Sequence, residues 1–290
     1  MNTKKTERFA QLGLLVMTII WGTSFAAVKS ATDTIPPTWL VSLRFLMAAG
    51  LLCVLFCRRL PRMTKQTLRD GALIGVFLFL AYELQTVGVQ YTTAGKNAFL
   101  TAVYVVLVPF FYWAVRKKRP GGAQVAAAFL CLGGIGFLSL TGDGFSLGLG
   151  EGLTLLCGVA YAVHIVVLGM HTKAHDPFLL NIVQFATAGV LGLLVAGVSE
   201  PVPVINGANA PSLCFIGFVS TALALCLQTA CQKHVEPGKA SLLMSLESVF
   251  GCLSGILFLN ERLTAQTGVG FVLIFVALLL AERPQKRAAA

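Results

Sequence analysis

Apolar runs of about twenty residues, parted by short polar breaks, recur along the whole chain. Ten can be counted, at about 9–30, 38–57, 70–90, 94–115, 121–140, 149–170, 178–198, 211–231, 239–259 and 265–281. Each approaches the roughly 20 residues a helix needs to cross a bilayer. They are about twice as long as a barrel strand and do not alternate. Hydrocarbon tolerates no unpaired backbone group, so the pattern predicts an all-α membrane protein of ten transmembrane helices. The first run follows "MNTKKTER", which has the form of a signal-peptide start. Its length predicts a retained first span instead.

Composition supports lipid as the solvent. The 290 residues are 56% hydrophobic and 12% charged, against about a quarter charged in soluble domains. A net charge of +10 raises nucleic acid as a partner, but the basic residues form short clusters between apolar runs rather than a stripe along one face. No nucleic acid is expected; the bilayer is. If both termini are cytoplasmic, 18 of the 22 Lys and Arg residues fall on inside segments. Lys29, Lys96 and Arg262 fall outside, and Arg44 lies within a span. This asymmetry is the positive-inside signature of a multi-pass protein in the cell membrane with an even number of spans. The eight cysteines show no CxxC pair, so neither a zinc site nor a disulfide framework is indicated. No cofactor is expected.

One phrase is written twice. "LQTVGVQYTTAGK" at 84–96 returns as "LQTACQKHVEPGK" at 227–239, an offset of 143. Upstream, at an offset of 140, Leu15, Pro37, Leu40 and Phe45 match Leu155, Pro177, Leu180 and Phe185. The chain therefore divides into a cytoplasmic segment 1–8, a five-helix repeat 9–140, a second five-helix repeat 149–281 and a basic tail 282–290. Five is odd, so the second copy enters the membrane upside down relative to the first. Such inverted repeats around a central cavity characterise alternating-access carriers.

"WGTSF" at 21–25, "SLRF" at 42–45, "QYTTAGKNAFLTAVYVVLVPFF" at 90–111 and "SLESVFGCLSGILFLNERLT" at 245–264 resemble the signatures of the EamA family of the drug/metabolite transporter superfamily. The resemblance implies a ten-helix bundle, a central cavity lined mainly by helices 1, 3, 4, 6, 8 and 9, and export of a small metabolite or amino acid. Ser248 stands where that family usually has Pro, and Asn260 where it usually has Gly. Tyr104 aligns with Glu247 at an offset of 143, whereas Pro109 aligns with Ser248 only at 139. Both registers stay open.

Ionisable groups inside a span cost about 2.5–3.5 kcal/mol at the helix centre, so each needs a partner or a purpose. Four stand out: Arg44, Glu83, His164 and Glu247. Glu247 falls near the midplane, where carrier sites lie. Arg44, close to the outer end of helix 2, is expected to be structural and to snorkel toward the interface. Trp21 and Ser24 align with Tyr161 and His164, and the i, i+3 spacing puts each pair on one helix face. These four, with Tyr82, Glu83, Tyr104 and Glu247, are the expected substrate-binding residues. For each, plain packing of an aromatic or a satisfied polar side chain is the competing explanation. His171, His175 and Asp176 have metal-like spacing, but Pro177 places them in a loop and no metal site is expected.

The reading is a secondary transporter exporting a small metabolite, an amino acid or similar amphipathic solute, by alternating access. The motif GxxxxGK[ST] is absent, so nothing points to ATP. HExxH and GxSxG are absent as well, which argues against an enzyme. The alternatives are an intramembrane lipid-modifying enzyme or a channel. A coupling proton carried by Glu247 with His164, and facilitated diffusion with a substrate amine on Glu247, stay equally open. So do monomer and homodimer.

Overall fold

The structure, a computed structural model, describes residues 3–117, 119–141, 144–145, 147–231, 234–235 and 243–281. The second Gly-Lys turn, at Gly238 and Lys239, and the tail 282–290 lie outside the described residues. The first half contains α1 (Thr3–Ala31), α2 (Pro37–Leu55), α3 (Lys65–Gln90), α4 (Ala94–Thr101), α5 (Tyr104–Arg116) and α6 (Gly122–Ser139). A minimal antiparallel pair, β1 (Leu140–Thr141) with β2 (Gly144–Phe145), joins the halves. In the second half come α7 (Leu149–His171), α8 (Pro177–Ser199) and α9 (Ala210–Cys214). A π-helical segment, Phe215–Leu223, then leads into α10 (Ala224–Cys231), followed by α11 (Glu247–Leu259) and α12 (Ala265–Ala281). Among the described residues, seven helical stretches are long and apolar enough to cross a membrane. Shorter apolar helices occupy Gly122–Leu138, Leu243–Leu259 and Ala265–Ala281.

Local chemistry sets the helix ends. Pro37 and Pro177 stand at the first helical position of α2 and α8, where a missing N–H costs nothing. The hydroxyl of Thr93 caps α4 by accepting from Lys96 N at 3.1 Å. At the other end of this span Lys117 takes a left-handed conformation, φ 59°, and Asn260 after α11 does the same at φ 54°. The two positions are 143 apart, so both repeats stop at an equivalent residue. Asn tolerates the left-handed cap almost as glycine does, which explains how Asn260 substitutes there.

Three pairs of counterpart helices pack against one another and run in opposite directions. On α8, Gly192 lies against Ser42 and Gly189 against Leu46 of α2. Gly134 of α6 meets Ile274 of α12, while Leu138 meets Gly270. Similarly, Gly255 and Gly251 of α11 face Ala94 and Ala98 of α4. In each pair the numbering rises on one helix as it falls on the other. The remaining contacts obey the same two-fold logic, with α1 on α11 mirrored by α7 on α4 and α5. Phe45 and Phe185, equivalent residues, meet with ring centroids 5.8 Å apart.

These close approaches depend on glycine. A Cβ on Gly192 would stand 3.1 Å from the Ser42 Cα, tighter than ordinary contact, so the two helices would have to part slightly. Two carboxylates then tie the second half onto helix starts of the first. Glu261, just after α11, accepts from Ala94 N at 2.6 Å and Gly95 N at 3.1 Å. Glu200, just after α8, accepts from Thr38 N and Trp39 N, both at 3.1 Å. Each carboxylate satisfies orphan N–H groups at the positive end of a helix dipole.

Candidate functional site

Two helices break at matching points. Between α4 and α5 the regular ladder gives way to a tight turn in which Val103 N donates to Leu100 O at 3.3 Å. Before α11, Leu246 N donates to Leu243 O, also at 3.3 Å. Both donors and both acceptors are 143 residues apart, which settles the register at 143 through this helix. Short three-residue turns inside a helix commonly mark functional hinges. Neither break contains a proline; in the second copy the Ser248 hydroxyl donates to Ser245 O at 2.8 Å, a back-bond that often bends helices. Tyr104 and Glu247 are the first residues after the two breaks.

A cavity opens beside them. Its wall is duplicated. Trp21, Ser24 and Phe25 of α1 line it, and so do Tyr161, His164 and Ile165 of α7 at an offset of 140. At 143, Tyr82 and Gln85 of α3 answer Leu225 and Gln228 of α10. Thr101 and Tyr104 likewise answer Met244 and Glu247. Leu78 and Arg44 complete the wall, and their counterparts Thr221 and Gln184 lie directly behind it, on Arg44 and His164 respectively.

The two copies have diverged in polarity. Arg44, buried at 2% exposure, donates from Nε to Thr221 Oγ1 at 2.8 Å and from Nη2 to Ser220 Oγ at 3.3 Å. Both acceptors belong to the π-helical segment, whose wider turn also frees Ser220 O to accept from the Trp21 indole at 3.0 Å. At the equivalent place Gln184 is neutral; its Oε1 pairs with His164 Nε2 at 3.1 Å and its Nε2 donates to Asn181 Oδ1 at 2.6 Å. The Arg44 guanidinium stands 4.5 Å from the centroid of the Tyr82 ring, a cation–π contact. Tyr82 meets Tyr161 edge to face at 5.4 Å, and Tyr161 reaches Tyr104 at 6.0 Å. The Tyr104 side chain lies near the Glu247 carboxyl group. Glu247 is 4% exposed. One face of the cavity is thus cationic and another acidic, with tyrosine rings between.

Of the eight residues expected from the sequence, seven line this cavity: Trp21, Ser24, Tyr82, Tyr104, Tyr161, His164 and Glu247. Glu83 does not. It follows Tyr82 by one residue, about 100° around the helix, and turns toward the start of α2, where its Oε1 accepts from the Thr38 hydroxyl at 2.6 Å. The same hydroxyl lies 2.8 Å from Glu200 Oε1, so Glu83 belongs to an interhelical tie. The expectation that Arg44 snorkels is also corrected, because hydroxyls and an aromatic face draw its head inward. Gln85 and Gln228, the glutamines of the doubled phrase, were missed as wall residues although the repeat itself marks them. His171 and His175 both approach Asp70, at 3.9 Å and 2.8 Å. Among the described residues no cluster suited to a metal ion exists.

The apolar helices, packed as antiparallel halves around a cavity, define a multi-pass membrane protein. The EamA-like transporter family matches this sequence twice, over residues 8–140 and 148–282. The chain belongs to that family, and each match covers one repeat. An uncharacterized transporter of Archaeoglobus fulgidus is 32% identical over 272 residues, covering 94% of this chain and 85% of its relative. The uncharacterized transporter YoaV of Bacillus subtilis is 25% identical over 284 residues, covering 93% and 95%. A protein of known crystal structure superimposes with a TM-score of 0.68 at 18% identity, over 94% of this chain and 96% of its own. That likeness concerns the fold alone.

Proposed function

We propose that this transporter carries a small metabolite, an amino acid or similar amphipathic solute, outward across the cell membrane by alternating access. Ten spans, with α4–α5 and α9–α10 each counted as one, would then cross the bilayer with both termini cytoplasmic. The distribution of 18 of 22 basic residues on the inner segments supports that orientation. The observation that carries the reading is the duplicated wall, in which residues at equivalent positions of two antiparallel halves face one cavity. A site placed between inverted halves is exposed first to one side and then to the other as they rock.

Paired helix breaks beside the cavity support the same reading, since carrier sites are built around interrupted helices. Trp21, Tyr82, Tyr104 and Tyr161 supply ring faces; Ser24, His164 and Glu247 supply polar contacts. Glu247 is the group through which a proton would be coupled. Saturable counterflow by the full chain in proteoliposomes, screened with a metabolite library, tests the proposal. Tyr161→Ala and Glu247→Gln should abolish or severely weaken exchange; a non-saturable flux would instead indicate a channel.

A further inference from the structure

Arg44 is a cavity residue whose charge has no carboxylate partner among the described residues. Guanidinium carries five N–H donors, and only two of its hydrogen bonds find acceptors among the described residues, Thr221 and Ser220. Neither acceptor is charged. No ion pair among the described residues includes Arg44, and none includes Glu247. An arginine buried to this degree is normally matched by a carboxylate, because an unpaired buried charge is strongly unfavourable. Arg44 lines the cavity, with its guanidinium carbon 4.5 Å from the centroid of the Tyr82 ring.

We propose that Arg44 is the anchor for a carboxylate on the transported solute, which completes the guanidinium fork when it enters. The inference rests on the carrier reading given above and narrows its substrate class. Two features favour a carboxylate over a phosphate. A fork with free N–H groups matches a planar two-oxygen acceptor. No lysine or second arginine lines the cavity, so a dianion would enter with one charge uncompensated. The aliphatic or aromatic body of the solute then lies among the tyrosine rings, and Glu247 faces its opposite, donor-bearing end. The second repeat has neutral Gln184 where the first has Arg44, so the anchor exists once and fixes the solute's orientation.

Reconstituted full-length protein should be titrated with solutes that share one apolar body: leucine, 4-methylpentanoate, leucinamide, 3-methylbutylamine and 3-methylbutyl phosphate. Quenching of tryptophan fluorescence and competition in counterflow are the readouts. Leucine and 4-methylpentanoate are expected to bind, with the amide, amine and phosphate weaker by about ten- to hundredfold. In Arg44→Gln that preference should disappear, and in Arg44→Lys it should be partly kept. If Arg44→Gln does not fold, the wild-type series still decides. Amide or amine binding as tight as that of the carboxylates, tighter phosphate binding, or no binding by either carboxylate overturns the proposal. The carrier reading fails separately, if no member of a wide metabolite library exchanges saturably.

Discussion

Tyr104 and Glu247 occupy the same place in two antiparallel copies of one helix, each the first residue after a break, and both line one cavity with their side chains near each other. A phenol from one half and a carboxyl group from the other thus stand together at the paired breaks. The contact is the smallest unit in which duplication, interruption and chemistry coincide.

Cutting that contact should impair exchange more than folding. Tyr104→Phe keeps the ring packing on Tyr161 and removes one hydroxyl, so counterflow is expected to fall by about tenfold or more. Thermal stability in detergent should change little. Equal losses in both measurements would mean that the pair is structural.

Close approach of α4 and α11 makes a second prediction. A Cβ on Gly251 would overlap the Ala98 Cβ and come within 3.1 Å of the Phe25 ring. Gly251→Val should therefore destabilise the protein by about 1–3 kcal/mol through overpacking. Gly197, with nothing within 4 Å of an added Cβ, provides the control: Gly197→Ala should be neutral or slightly stabilising. Melting curves of the two purified variants make the comparison.

The Glu261 cap yields a third. Removing its carboxylate strands Ala94 N and Gly95 N at the start of α4, a loss of about 0.5–2 kcal/mol for a helix cap. Glu261→Ala is expected to lower the melting temperature accordingly, and Glu261→Gln, which keeps one acceptor oxygen, by less. Equal melting temperatures for all three proteins would show that the cap contributes nothing.

Much of this architecture is readable from residue order alone, because a repeat constrains contacts that composition cannot. Equivalent spacing pairs Trp21 and Ser24 with Tyr161 and His164, and all four line one cavity. The doubled Leu-Gln-Thr contained Gln85 and Gln228, yet glutamine in an apolar run gives no sign of whether it faces a neighbour or a void. Glu83 and Arg44 show what is hidden. Polarity says that each needs a partner, but the direction each faces depends on Thr38, Glu200, Ser220 and Thr221, which arrive from helices distant in sequence. The π-helical turn that presents Ser220 and Thr221 has no motif, and the break before Glu247 occurs without the proline that would have announced it.

The inverted arrangement of the halves is tested most directly by side-specific labelling of single cysteines in a cysteine-free background. Lys96→Cys and Lys239→Cys occupy matching positions of the doubled phrase. A membrane-impermeant maleimide added to intact cells should label the first and leave the second untouched until the membrane is opened. Labelling of both from the same side would contradict the account.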